Sequence, residues 1–322
     1  MEQHFQIRHS GVGRNPEKPV QKHLDPGSTA WTPSFAGVTG LFTRVLALGL
    51  WAAQALATPT ALVSTDGLAT ALTAGKVRLI DAENAENYAR AHLAGAVNLH
   101  YLDLEDAEEN AKTGLPIFPR LAASKLEALG LSRDTPVVVY DSGNGRGASA
   151  VRYILRFLGH ADVRILDGGF RKWLKEGRPV TQEVPKPAKT TYLVQPNLAW
   201  ALKTDALKGR DVLLLDARSI AEYAGKDAGG ARQAGHIPGA KSLPWTLLAG
   251  ELDTFKAPEA MRRVLLEAGV TPDKEIITYC NPGIGRSTFL AMALESLGYD
   301  KVKVYPGSWI EWASDPIRPI ER

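Results

Sequence analysis

The apolar residues of this chain fall into two kinds of run. Short, largely apolar stretches at Val137–Tyr140, Val163–Leu166, 213–215 and 276–278 read as strands of a parallel sheet covered on both faces, where neither side of a strand meets water. Longer segments between them, such as 148–158 and 288–297, repeat at helical spacing, as Phe289, Ala293 and Leu297 do. Gly159 and Gly298 follow those segments at the position where helices stop. The alternation predicts an α/β fold. Residues 181–197, with Pro185, Pro187 and Pro196, form a polar, extended linker.

The pattern occurs twice. In residues 77–96 the sequence places Asp81 after an apolar run, then Tyr88, His92, Gly95 and Ala96. In 212–240 it places Asp216, Tyr223, His236, Gly239 and Ala240 in the same order. Val137–Tyr140 with Asp141 answers residues 276–279 with Cys280, and the segment from Gly168 to Trp173 answers the one from Gly307 to Trp312. The last two correspondences share one offset, 280 − 141 = 139, so a single duplicated unit is expected. The two domains are 60–180 and 198–322, each a mainly parallel sheet flanked by helices on both faces.

The first sixty residues follow neither pattern. Residues 1–37 are rich in Gly, Pro, Ser and charge, and are expected to be non-native or disordered. Arg44 precedes an apolar run, Val45 to Ala57, that ends small-x-small at Ala55 and Ala57. This reads as a signal peptide over 38–57, too short to span a bilayer, with translation expected to begin near Val38 or Leu41. The alternative is an amphipathic or buried helix behind a disordered arm. Export implies a periplasmic or secreted protein in an oxidising compartment, with no membrane attachment of the mature form. A cytoplasmic location follows if the segment is not a signal.

Composition narrows the chemistry. Of 322 residues, 44% are hydrophobic and 23% charged, with a net charge of +3. That balance does not point to nucleic acid, but it permits a local cationic pocket. One cysteine excludes an intramolecular disulfide and a thiolate zinc cluster. A lone thiol is either a small core residue or a reagent. Cys280 follows a strand and opens a loop, Asn281-Pro282-Gly283-Ile284-Gly285, before Arg286 and a helix starting at about Ser287. Glycines let successive backbone N–H groups turn inward as an anion nest, and the helix N-terminus adds its positive end. Such a field favours thiolate, and Arg286 can hold a sulfonate, sulfate or phosphate oxygen.

Taken together, residues 236–240, Asp216 with Arg218 and Tyr223, the Cys280 loop and the terminal segment from Gly307 to Trp312 resemble the rhodanese family. The tandem arrangement is similar to the thiosulfate and 3-mercaptopyruvate sulfurtransferases over about residues 60–322. The resemblance implies that Cys280 takes a sulfane sulfur from a small anionic donor, rests as a persulfide held by loop N–H groups, and yields it to cyanide or a thiol, protein thiols included. It implies no metal or organic cofactor. The first repeat is expected to be silent, because Asp141 stands where Cys280 does. Asp141 and Arg146 could line an interdomain surface, but a purely structural role is favoured. The donor is expected to meet Arg286, Arg218 and Arg232, with Asn281, Gly283, Ile284 and Gly285 around it. Arg218 has the alternative of pairing with a carboxylate. His92 and His236 occur symmetrically in both halves and are assigned to packing. Trp245, Trp309 and Trp312 are assigned to the core or the domain interface.

The loop matches neither the thiosulfate-preferring nor the mercaptopyruvate-preferring pattern. Its start, Cys-Asn-x-Gly, is similar to exported bacterial rhodaneses. Two rivals stand beside this reading. Cys280 to Arg286 also fits the Cys-x5-Arg spacing of phosphatases on related folds, although Tyr279 stands where a His is usual. The other rival is a non-catalytic sulfur-carrier or binding module.

Overall fold

The computed structural model describes residues 61–106, 108, 117–198, 202–207, 211–251, 255–281 and 283–322. The N-terminal extension and the signal-like run lie outside these residues. Among the described residues, five strands form one parallel sheet: β1 (Leu62–Val63), β2 (Arg78–Asp81), β3 (Ala96–Asn98), β4 (Val137–Tyr140) and β5 (Val163–Leu166), in the order β1-β5-β4-β2-β3. Four more form a second: β6 (Leu213–Asp216), β7 (Lys241–Ser242), β8 (Ile276–Tyr279) and β9 (Val302–Val304), in the order β7-β6-β8-β9. Both orders put the strand that precedes the Asp141 or Cys280 loop in the sheet interior. β4 pairs with β2 and β5, and β8 pairs with β6 and β9.

The fully apolar strands are explained by two cores per sheet. Successive side chains point to opposite faces. Val137 and Val139 pack into one cluster, while Val138 and Tyr140 pack into another. Likewise Leu213 and Leu215 face one way, and Leu214 faces the other with Ile277 and Tyr279. The inner faces of both sheets share a single continuous core, which also contains Cys280.

Two helices fill the space between the sheets, Arg146–Phe157 and Arg286–Ser296. The second is buried from Ser287 to Leu294, so the apolar spacing of Phe289 and Ala293 marks only one of its covered faces. Where the two helices meet, the Ser149 and Thr288 hydroxyls lie 3.1 Å apart, and Arg152 pairs with Glu295 at 2.9 Å. Phe255 stacks on Phe289 with ring centroids 4.3 Å apart. Gly145, at φ 71°, leaves room for that Phe289 ring, which a Cβ would meet at 3.0 Å. Residues 181–197 run almost without regular structure and are fastened to the first half by the Gln195 and Asn197 amides, which donate to the Leu158 and Phe157 carbonyls at 3.0 and 2.7 Å.

Candidate functional site

Strand β8 ends at Tyr279 and delivers Cys280 to the floor of a cavity of about 430 Å³. Cys280, Asn281, Ile284, Gly285 and Arg286 form one wall of that cavity. The opposite wall comes from the first half and includes Glu83, His100, Tyr101, Asp141 and Arg146. Assigning Asp141 and Arg146 a purely structural role is therefore corrected, because the silent half closes the site. The reason is topological. Loops 141–145 and 280–285 connect β4 and β8 to the two helices, and packing those helices against each other turns both loops toward one cleft.

The sulfur is almost fully buried. Ser287 Oγ lies 3.4 Å from Sγ, and Ser308 Oγ lies 3.9 Å from it. Ser308 Oγ also accepts from the Cys280 amide at 3.1 Å. The carbonyls of Asn281 and Gly283 approach Sγ to 3.4 and 3.5 Å, so the loop turns carbonyls toward the thiol. This differs from the expected inward nest. A neutral S–H is a donor, and carbonyls are the partners it can use.

The arginines divide sharply. Arg286 forms a two-point bond to Glu222, at 2.7 and 3.0 Å. Burial raises the Glu222 carboxyl, but the Arg286 and Ser219 hydrogen bonds outweigh it and hold the group at about 2. Arg286 lines the cavity with its charge already balanced. Arg218 is corrected as a donor ligand: it is 0% exposed, bonds both Asp216 oxygens and the Gly235 carbonyl, and lies 4.9 Å from the centre of the Trp309 ring. Asp216, two residues earlier on the strand, draws it into the core. Arg232 is also corrected. It is exposed on the 225–235 insertion and does not line the cavity.

Arg146 is different. Among the described residues it makes no ion pair; its Nε meets Asn144 Oδ1 at 3.5 Å and its guanidinium lies 5.4 Å from the centre of the Trp245 ring. Among the described residues it is the cation that lines the cleft without an ion pair.

The remaining residues mostly hold shape. Asn281 donates to the Gly229 carbonyl and ties the loop to the insertion. Gly283 and Gly285, at φ 67° and 132°, adopt turns that side chains rarely take. Gly283 itself does not line the cavity, and Pro282 lies outside the described residues. His92 and His236 stack on Tyr88 and Tyr223 and bond backbone carbonyls, away from the cleft. Trp309 and Trp312 are buried, and Trp245 meets Phe289 edge-on. No group of three His, Cys, Asp or Glu suited to a metal occurs among the described residues.

Tyr101, Glu105 and Ser308 were not singled out in the sequence, and Ser287 only as the start of the helix. Only Ser308 left a signal: aligning the two repeats sets it opposite Gly169, a substitution in an otherwise shared turn.

Residues 64–176 and 201–315 each match the Rhodanese-like domain. The chain is 35% identical over 281 residues to the sulfur carrier protein TtuD of Thermus thermophilus, covering 82% of this chain and 97% of that one. It is 33% identical to the thiosulfate sulfurtransferase of Pseudomonas aeruginosa, over 79% of this chain and 94% of that one. The solved anaerobic ergothioneine biosynthesis enzyme of Chlorobium limicola aligns with a TM-score of 0.73 at 24% identity, over 83% of this chain and 71% of that one, a likeness of fold.

Proposed function

The chain belongs to the Rhodanese-like domain family, carrying two such domains in tandem, and from that premise we propose that it is a sulfurtransferase working through a Cys280 persulfide, with thiosulfate as donor. The observation that carries this reading is the placement of Cys280. It sits at the carboxyl end of β8, on the floor of a cleft that the second domain cannot complete alone.

In the proposed reaction the Cys280 thiolate attacks the outer sulfur of thiosulfate. A sulfur–sulfur bond forms to Cys280, the bond between the two donor sulfurs breaks, and sulfite leaves with the electron pair. Arg146 supports the choice of an anionic donor, since its guanidinium, without an ion pair among the described residues, lines the same cleft and presents a planar fork to oxyanions. Cyanide or a thiol then attacks the outer sulfur and restores the Cys280 thiolate. A protein acceptor is supported by the likeness to a sulfur carrier protein. The phosphatase reading is less well supported, because Glu222 already occupies the two-point fork that Arg286 would need for a phosphoryl group.

The test is thiocyanate formation from thiosulfate and cyanide by the wild type and Cys280→Ala, with intact mass measured after thiosulfate alone. Turnover and a gain of roughly 32 Da, both absent from the variant, are expected. No gain with thiosulfate but a gain with 3-mercaptopyruvate would move the donor, and failure of both would remove the sulfurtransferase reading. An export role predicts a mature terminus near Ala57, read by N-terminal sequencing of the exported protein.

A further inference from the structure

The two loops that face the cleft offer an internal comparison. In the first half, the Asp141 carboxylate lies in a cradle of backbone N–H groups. Gly143 and Gly145 donate to Oδ1 at 2.9 and 3.1 Å, and Ala148 donates to Oδ2 at 3.1 Å. This loop shows how the turn aims its N–H groups at an acceptor. Adding the repeat offset of 139 gives Pro282, Ile284 and Ser287 as the equivalent donors around Cys280. Proline has no N–H to give. Ile284 therefore stands where Gly145 stands.

The Ile284 N–H does not face the sulfur. It is donated to the Glu105 carboxylate, which comes from the first half. The other side of the same peptide, the Gly283 carbonyl, points at Sγ from 3.5 Å. Glu105 also presses on Gly283 itself, so that any Cβ there would collide with Oε1. Gly283, at φ 67°, has the backbone freedom to turn.

We propose that Glu105 is a positioning residue for the catalytic loop, holding the Ile284 N–H outward while Cys280 is a thiol and releasing it to the sulfur when the persulfide anion forms. The inference rests on the sulfurtransferase reading. A carbonyl beside Sγ accepts from a neutral thiol but repels thiolate or persulfide, whereas an amide does the reverse. Rotation of the one peptide between Gly283 and Ile284 exchanges these groups and reproduces the orientation seen around Asp141. When sulfite leaves with its electron pair, the negative charge remains on the outer sulfur, and the turned amide can meet it.

The electrostatics agree. Burial pushes the Glu105 carboxyl up to about 7, against the pull of the Ile284 amide, so protonation near neutrality weakens the hold. Tyr101, on the same turn as Glu105, feels the charges of Glu105, of Arg146 at the start of the facing helix, and of Cys280.

The full-length chain tests this as wild type, Glu105→Gln and Glu105→Ala. The readouts are the rate of Cys280 alkylation by iodoacetamide across pH 5–9 and the rate of mass gain with thiosulfate. Glu105→Ala is expected to speed both several-fold. Glu105→Gln, which keeps an acceptor but no charge, should fall between. A residue that only props the loop would slow both reactions when removed. Unchanged or slower alkylation in a folded Glu105→Ala overturns the proposal. Should that variant not fold, alkylation of Glu105→Gln no faster than that of the wild type overturns it equally. Absence of thiocyanate formation by the wild type would strike the sulfurtransferase reading while leaving the alkylation comparison intact.

Discussion

Ser308 and Gly169 hold the same left-handed backbone, φ 53° at each, at equivalent places in the two halves, but only Ser308 adds a hydroxyl, and that hydroxyl accepts from the Cys280 amide. It is the one non-glycine residue with positive φ among the described residues. A side chain in this conformation costs roughly 1–2 kcal/mol. Strain of this kind gathers at functional sites, where surrounding structure enforces it. Here the enforcement includes the Trp309 amide, which donates to the Cys280 carbonyl at 3.0 Å.

Two variants separate the strain from the hydroxyl. Ser308→Ala removes the hydroxyl and keeps the strain, while Ser308→Gly removes both. Turnover is expected to fall in each. Denaturant unfolding should nevertheless find the glycine variant about 1 kcal/mol more stable than the alanine variant. Equal stability of the two would show that no strain is stored at Ser308.

Arg146 is expected to govern donor binding. A charged hydrogen bond to an anion contributes about 1.5–3 kcal/mol, so Arg146→Ala should lower kcat/KM for thiosulfate by about 10- to 100-fold. The cyanide half-reaction should change little. Arg146→Lys keeps a charge but loses the planar fork and is expected to recover only part. Equal losses for donor and acceptor would mean that the substitution disturbed the cleft as a whole.

The pairing of Glu222 with Arg286 sets a pH dependence. Its folded-state carboxyl, at about 2, lies below its ordinary value of 4.5. The ionised form therefore stabilises the fold above pH 4.5, and that contribution is lost as pH falls toward 2. Asp81 and Glu105 act in the opposite sense, because burial raises them to about 6 and about 7; what they contribute is greatest in acid and lost as pH rises. Comparing the wild type with Glu222→Gln cancels those two. The stability difference, followed by thermal unfolding, should be full at pH 5 and nearly gone at pH 2.

Much of this arrangement was legible from spacing alone. Fully apolar strands such as Val137–Tyr140 announce a sheet covered on both faces, and the 139-residue offset announces two copies of it. Cys280 stands out because no other thiol competes with it. What spacing could not supply was the direction of side chains across the pseudo-symmetric cleft. Arg218 follows a strand just as a substrate-binding arginine would, yet Asp216, two residues earlier, turns it inward. Glu105 reaches the Cys280 loop from 175 positions upstream, where no local pattern in the sequence marks the contact.

The joint between the halves supplies the final prediction. Arg152 is buried, donates to the Val163 carbonyl at 3.1 Å and pairs with Glu295 at 2.9 Å across the interface. The cleft needs both halves, so weakening this joint should reach the chemistry as well as the stability. Glu295→Ala leaves the Arg152 guanidinium desolvated beside Arg156, whose positive charge acts against it. A loss of about 3–5 kcal/mol is expected in denaturant unfolding, as for other buried pairs broken on one side. Replacing both partners, as Arg152→Met with Glu295→Leu, removes the stranded charge and should restore most of that stability. The coupling between the two substitutions, measured by a double-mutant cycle, is the quantity to read. If the double variant is as unstable as the sum of the single ones, the pair contributes no specific link between the halves, and the shared apolar core alone holds the cleft together.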